Sequence, residues 1–446
     1  MDCGRVPVGE GGDVSLELPA MPSEAGDWIE NVHMYYRFDY ETGKRDDRLV
    51  IVANTGAPMY VKYFRPNISA FDWLPISDIS LVGRTCSVNY NCNGRDILLI
   101  SSPEATAIID GDNGRYVPDC PHFTSLTKHC ERIYGSVQGN RRQVWFSDDF
   151  DPTNWTVSNT EGGYLDFNDE GGAVLKVVSF LNYLFIFREY EILRLRAFGD
   201  QSEFSLTKLF VTTGRIFGDT IALAGDRIMF AADDGVYEFN GENARKVYND
   251  LNAFFKPSQK RPLGCYLHGK YYLACSLTFP DRDKTAYLDE VNRTCLTNAL
   301  VEFDLDGGAF SILRGVDFYD LTSVGAERDS RIFMLFGNEP ARKIGNVVGY
   351  SAYFNEPLDA LWQSPETDLG YPGRKKVIRT IFLNTGADPV TVGVCLDGER
   401  YEYEARGKNC KINVCHGGES VSFYFRAAAY MRGTEISAFS VAFDII

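Results

Sequence analysis

Seven times along the chain a short apolar strand opens or closes on a polar turn. The runs are Arg48-Leu-Val-Ile-Val-Ala53, Asp96-Ile-Leu-Leu-Ile-Ser101, Arg132-Ile-Tyr-Gly-Ser136, Tyr183-Leu-Phe-Ile-Phe-Arg188, Arg227-Ile-Met-Phe-Ala-Ala232, Lys270-Tyr-Tyr-Leu-Ala-Cys275 and Arg331-Ile-Phe-Met-Leu-Phe336. Their spacings scatter around the roughly 40–50 residues that one propeller blade requires. A unit of this kind shows apolar side chains on both faces of a small twisted sheet and cannot bury them alone. Radial stacking of neighbouring units solves that problem. The expectation is an all-β chain with a β-propeller of about six to seven blades; a solenoid or a pair of sandwiches is the competing architecture. Phe204–Gly214, Gly218–Ala224, Asp226–Ala232 and Gly235–Gly241 read as one four-stranded blade, with Gly-Asp, Asp-Asp-Gly and Asn-Gly at its turns.

The remaining sequence divides the chain. Residues 1–30, rich in Gly, Pro and acidic side chains, read as an extended N-terminal arm, and residues 31–353 as the propeller. Residues 354–446 carry about six alternating strands at short spacing, from Lys376–Leu383 to Ile436–Phe443, the pattern of a small C-terminal β-sandwich. In the last of these Phe439, Val441 and Phe443 share the apolar side. A polar connection, Phe279–Cys295, reads as an inserted hairpin or protruding loop, and Arg374-Lys-Lys376 as a basic patch.

Forty-one glycines against 18 prolines suit many tight turns. The longest apolar run is far short of the ~20 residues that cross a bilayer, so no membrane span is expected. No secretory signal opens the chain, which points to synthesis and folding in a cytoplasm. Eleven cysteines, several inside apolar strands, read mainly as buried free thiols, with Cys410 and Cys415 as the lesser alternative, a pair joined across a hairpin after oxidation. The net charge is −16, and residues 350–446 carry 10 Lys and Arg against 12 Asp and Glu, which leaves −14 on residues 1–349. Such a surface repels phosphate backbones and disfavours tight nucleic-acid binding. It would favour a wall past which nucleic acid slides, but plain solubility is the better reading of surface carboxylates alone.

Candidate chemistry is sparse. Asp148, Asp149 and Asp151 offer carboxylates for acid–base work on a sugar or for holding a cation. Ser147-Asp-Asp-Phe-Asp-Pro-Thr-Asn-Trp155 resembles the Asp-box turn of sialidase propellers, a structural turn away from their catalytic centre; Trp155 lies one residue late and the central Gly is missing. No arginine triad with a tyrosine nucleophile accompanies it. Asp110-Gly-Asp-Asn-Gly114 spaces acidic oxygens as calcium loops do but lacks the downstream Glu, and reads better as a turn. The histidines, at 33, 122, 129, 268 and 416, show no metal-ligand spacing, and there is no Cys-x-x-Cys, no phosphate loop and no Gly-x-Ser-x-Gly elbow. No cofactor, metal or catalytic residue is expected. Trp145, Phe146 and Trp155 form either a sugar platform or wedges between blades.

In order along the chain stand Lys128-His-Cys-Glu-Arg132-Ile-Tyr-Gly-Ser136, Val144-Trp145-Phe-Ser147-Asp148, Asp151-Pro152-Thr-Asn-Trp155, Leu181–Arg188 leading into Glu191–Leu195, Asp234-Gly235-Val-Tyr237-Glu-Phe-Asn-Gly241, and Thr367–Lys376. With these the chain resembles a group of tailed-bacteriophage virion proteins built on a β-propeller, the packaged-DNA stabilisation and tail nozzle proteins. The likeness covers residues 82–250 well and the C-terminal part loosely. It implies a non-enzymatic structural protein of the virion neck or tail, made in the host cytoplasm. It implies a ring of copies, six in these phages, set around the DNA conduit among other neck, tail and portal-side proteins, retaining or passing the genome without binding it tightly. A host-glycan-binding module at a tail tip or fibre is the alternative, and a carbohydrate-cleaving propeller a third possibility.

Overall fold

The computed structural model describes residues 29–56, 58–61, 73–158, 160–199, 201–252, 255, 261–280, 294–314, 318–324, 331–336, 343–346, 352–353, 356–357, 360–386, 388–427 and 436–446. Among these the helical pieces are one turn at Asn249–Asn252 and two 3-10 turns, Gln201–Glu203 and Gly218–Thr220; nearly everything else of regular structure is strand. Two compact units emerge. Among the described residues one holds 29–309 and Arg314–Asn346, the other Phe310–Leu313 and 352–446.

The larger unit is a chain of antiparallel up-and-down sheets. The first orders Ile29–Tyr35, Arg48–Ala53, Pro58–Val61 and Trp73–Pro75; the second Cys86–Cys92, Arg95–Ser101, Thr106–Asp110 and Asn113–Tyr116; the third Phe123–His129, Arg132–Val137, Gln143–Phe146 and Gly163–Asp166. The fourth orders Val174–Phe180, Tyr183–Arg188, Glu191–Arg196 and Ser205–Val211, and the fifth Ala222–Ala224, Arg227–Ala232, Gly235–Phe239 and Ala244–Val247. Leu263–Leu267, Lys270–Pro280 and Thr294–Asp304 belong to the sixth, and Phe318–Val324, Arg331–Phe336 and Lys343–Asn346 form the last. Each of the seven recurrent apolar runs is the second strand of its sheet. A second strand is paired on both edges and covered on both faces, so every residue along it can be apolar.

The cores between sheets show how the alternation is used. Leu98 and Ile100 pack toward Val50 and Val52 of the first sheet, whereas Ile97 and Leu99 pack toward Phe123 and Ile133 of the third. In the fourth sheet Leu184 and Ile186 join Tyr134, Val144 and Phe146, while Phe185 and Phe187 join Phe230 and Phe239. Successive strand residues point to opposite faces, so one apolar run serves two neighbouring cores.

The first strands stand side by side in a cycle. Ile29–Tyr35 adjoins Cys86–Cys92, which adjoins Phe123–His129, then Val174–Phe180; Gly218–Thr220 leads into Ala222–Ala224, followed by Leu263–Leu267 and Phe318–Val324, which adjoins Ile29–Tyr35 again. This closed radial array of sheets is a β-propeller.

The frame of the blade differs from the expectation in one respect. Ser205–Val211 does not begin the fifth sheet; it pairs with Glu191–Arg196 as the outermost strand of the fourth, and Ala244–Val247 closes the fifth. Gly218–Thr220 is a 3-10 turn at the inner start of the fifth sheet. An outer strand with Leu206, Leu209 and Phe210 resembles an inner one in sequence, and only pairing tells them apart.

Residues 1–28 of the expected arm lie outside the described residues, and strand begins at Ile29. The Phe279–Cys295 connection extends a hairpin whose register runs to Pro280↔Thr294; residues 281–293 lie outside the described residues.

In the smaller unit, Lys376–Thr385 pairs with Cys410–Gly418 on one side and Ile436–Ile445 on the other. A second sheet orders Ala360–Gln363, Val421–Ala427, Val390–Leu396 and Glu399–Ala405. Both sheets share one core, in which Ile378, Ile381 and Leu383 meet Val392, Val394 and Phe423, with Phe439, Val441 and Phe443 against it. Two sequence expectations change here. Lys376 belongs to no surface patch: it is fully buried and its Nζ donates to the Glu419 carbonyl at 2.6 Å. Cys410 and Cys415 lie on one strand, about 16 Å apart at ~3.3 Å per residue, beyond the reach of a disulfide, and both are free.

Candidate functional site

The residues singled out by sequence fall into two places. The first is the connection that leaves Gln143–Phe146 of the third sheet. Ser147 locks its start: its amide donates to the Ile133 carbonyl at 2.9 Å, and its Oγ accepts the Ile133 amide at 3.0 Å. Asp148 accepts from Asn154 Nδ2 at 3.2 Å while its own amide donates to the Asn154 carbonyl at 2.9 Å. Asp151 Oδ1 accepts both the Thr153 amide, 2.9 Å, and the Thr153 hydroxyl, 2.6 Å. Pro152 presents its carbonyl to Trp155 Nε1 at 3.0 Å. Trp155 is 4% exposed and packs on Phe123 with ring centroids 4.7 Å apart, among Tyr90, Ile97 and Leu99 of the second sheet.

Arg132, buried at the head of its strand, ties this loop to the sheet. Its NH1 donates to the carbonyls of Ser147, 2.8 Å, and Glu161, 2.9 Å, and its Nε lies 2.7 Å from Asp149 Oδ1. The guanidinium also lies 5.6 Å from the centre of the Phe146 ring. The three aspartates are thus engaged as turn acceptors and as an ion pair, which is joint-building chemistry. Trp155 and Phe146 are wedges between sheets and offer no platform to a sugar. Trp145 instead stacks on Tyr164, 5.0 Å between centroids.

Gly235 and Tyr237 stand apart in the fifth sheet. Gly235 turns the hairpin at φ 139°, where an added Cβ would strike the Asn252 amide. Tyr237 stacks on Phe230 at 5.2 Å and donates to Asp234 Oδ2 at 2.9 Å; burial, then this bond, raises its phenol pKa. Asp110–Gly114 is the hairpin between Thr106–Asp110 and Asn113–Tyr116. Among the described residues no three His, Cys, Asp or Glu side chains converge as a metal site would require.

Sequence reasoning missed a polar cluster at the axis, where the first strands begin. Asn31 Nδ2 donates to Asp320 Oδ2 at 3.2 Å, and Asn31 Oδ1 accepts the Thr85 amide at 2.7 Å. The His33 ring bonds the Thr85 hydroxyl at 2.6 Å and the Ser87 hydroxyl at 3.0 Å. Lys176 Nζ donates to the Ile221 carbonyl at 2.7 Å, and Asp219 pairs with Arg84 at 3.3 Å and with Arg261. Burial holds the His33 imidazole down to about 4, against the Asp320 charge and with the help of Arg84. Burial likewise lowers the Lys176 pKa and raises that of Asp219. It pushes the Cys86 thiol up to about 12 and the Cys265 thiol above its ordinary range, so both stay protonated and poor nucleophiles. The available signal was a polar residue inside four of the first strands: Asn31, Ser87, Lys176 and Asp320.

No protein-family model matches the chain, and no curated protein matches it. Among solved structures it is similar to BBS1N in complex with ARL6DN, at 9% identity over 73% of this chain and 93% of that one, TM-score 0.42. It is similar to a fungal alcohol oxidase of the AA5 family in complex with copper, at 12% identity over 90% and 93%, TM-score 0.41. It is also similar to apo AztD from Citrobacter koseri, at 9% identity over 60% and 69%, TM-score 0.33.

Proposed function

We propose that this chain is a seven-bladed β-propeller followed by a C-terminal β-sandwich, and that it serves as a non-enzymatic structural protein of a tailed-phage virion. In this reading copies of the chain form a ring, six-fold as in the phages it resembles, within the neck or tail around the DNA conduit. Its neighbours are other neck, tail and portal-side proteins, and the genome passes without being held tightly.

The observation that carries the reading is the ordered motif set from Lys128 to Gly241, whose members are spent on turns and inter-sheet joints. Arg132, Ser147, Asp148, Asp151 and Trp155 hold one loop against one sheet, and Gly235 with Tyr237 shapes another. The charge of −14 on residues 1–349 adds support, because an acidic wall lets DNA slide where a basic one would retain it. Ring closure requires each copy to present two different, complementary surfaces to its neighbours.

Mass spectrometry of gradient-purified particles, with an affinity tag located by immunogold labelling, tests the assignment. The reading expects the protein at fixed stoichiometry with label at the neck or tail. Its absence from particles, or label confined to fibre tips, overturns it.

A further inference from the structure

Five of the connections between first and second strands are two-residue turns: Asn93-Gly94, Cys130-Glu131, Leu181-Asn182, Gly225-Asp226 and His268-Gly269. The first sheet departs from this pattern. Between Tyr35 and Arg48 it inserts residues 36–47, folded as a small ribbon in which Phe38–Asp39 pairs with Lys44–Arg45. A propeller does not need such an insertion to close, and in repeat folds insertions of this kind gather on the face that binds.

The ribbon is built to hold its shape. The amides of Tyr36, Arg37 and Phe38 donate in succession to Asn89 Oδ1 at 2.8 Å, Asp47 Oδ1 at 3.2 Å and Asp96 Oδ2 at 2.8 Å. Asp39 closes the tip, accepting the Glu41 amide at 2.9 Å and the Thr42 hydroxyl at 2.7 Å, and these bonds hold its carboxyl below the usual range. Between the ribbon and the Cys86–Cys92/Arg95–Ser101 hairpin lies a groove of about 330 Å³, at the lower end of small-ligand sites.

The lining chooses the ligand class. Phe38, 40% exposed, gives the open ring surface and meets Tyr40, 61% exposed, edge-on at 5.0 Å, whereas Tyr36 is partly buried and Tyr90, at the groove's floor, belongs to the core. Two exposed aromatics kept on a rigid ribbon are a stacking surface in wait of a partner. The charged groups come matched: Arg45 sits 2.8 Å from Asp47, and Arg37 2.7 Å from Asp46. An anion or cation entering the groove would meet charges already neutralised by these pairs. A neutral polyol needs no free charge, since its hydroxyls donate and accept at once and can bridge planar amide, guanidinium and carboxylate edges. Beside the rings Asn91 Nδ2 donates to Asp96 Oδ1 at 2.7 Å, Asn91 Oδ1 accepts the Gly94 amide at 3.2 Å and Asp96 Oδ2 accepts the Phe38 amide at 2.8 Å, which leaves these oxygens their second lone pairs for a hydroxyl donor.

We propose that this groove binds a neutral saccharide, its ring stacked on Phe38 and its hydroxyls bonded to Asn91, Asp96 and Arg45. The site is independent of any place in a particle, and the stacking residues are not the tryptophans that the sequence brought forward.

The test titrates the whole chain with glucose, galactose, mannose and N-acetylglucosamine and their β-linked disaccharides. Binding is followed by saturation-transfer NMR and calorimetry, with inorganic phosphate as the anionic comparison. Saturable binding in the millimolar range is expected, weakened about tenfold or more in Phe38→Ala and in Asn91→Ala and unchanged in Tyr164→Ala, an exposed aromatic of the third sheet. Thermal midpoints within a few degrees of the parent's keep both groove variants interpretable. No saturable binding to any of these sugars, affinity unmoved by both groove variants, or phosphate bound more tightly than every sugar would each overturn the proposal.

Discussion

Asn31 and Asp320, 289 positions apart in the chain, meet at 3.2 Å where the first strand of the first sheet lies against the first strand of the last. Asn31 reaches the other way as well, accepting the Thr85 amide of the second sheet, so one side chain joins three sheets. Both partners are almost fully buried, 3% and 8% exposed. The first and last sheets share no strand pairing among the described residues, so side-chain bonds of this kind join them where the ring closes.

Asn31→Leu therefore destabilises beyond what its size suggests. It strands a buried carboxylate and a buried amide at once, at a cost of about 2–4 kcal/mol. Asp320→Asn keeps an acceptor for Asn31 and loses less. Urea midpoints of the two variants check the order, and equal losses would deny the joining role of this bond.

The axial histidine makes stability pH-dependent. His33 stays neutral in the folded chain down to about pH 4, whereas unfolded it takes a proton near its ordinary value of 6.5. The folded state thus binds fewer protons in this window. Its contribution is full above pH 6.5 and falls by about 1.4 kcal/mol per unit as pH drops toward 4. His129, also lowered by burial, acts in the same direction. Between pH 7 and pH 5 the unfolding free energy should fall by about 2 kcal/mol from His33 alone, and His33→Gln should remove that share. Denaturation at both pH values measures it.

Trp155 fills the seam between the second and third sheets. Trp155→Ala should cost about 3–5 kcal/mol, as large-to-small changes in a core do, while Trp145→Ala, which loses one half-exposed stack, costs much less. Thermal unfolding of both variants tells wedge from platform, and a mild Trp155→Ala would place that ring outside the core.

Gly393, in the middle of the Val390–Leu396 strand, faces the Tyr424 ring so closely that an added Cβ would overlap it. Tyr424 is held in turn by Glu402 at 2.6 Å. Gly393→Ala should lose about 1–3 kcal/mol from overpacking, and Gly393→Ala with Tyr424→Leu should recover part of it. Melting curves of single and double variants decide the coupling.

Much of this architecture is legible in the sequence, for a physical reason. Strands such as Tyr183–Arg188 are covered on both faces, so they stand out as unbroken apolar runs, and all of them prove to be second strands. The frame around them is less legible. Ser205–Val211 carries inner-strand residues at an outer edge, because an outer strand also leans one face on its neighbour. Lys376 reads as part of a basic run, yet its ammonium finds the Glu419 carbonyl inside the fold. The Trp155 loop is visible as a motif, but not which alternative its aromatics take. The axial cluster escapes altogether. Asn31, Thr85, Lys176, Asp219 and Asp320 are dispersed over the chain, and only ring closure brings them together.

The central claim is best tested by cryo-electron microscopy of purified particles, with the propeller and the C-terminal unit fitted separately into the neck and tail density. The account predicts a closed ring of copies around the DNA path. Particle density with no such ring, or the propeller fitting only at fibre tips, would contradict it.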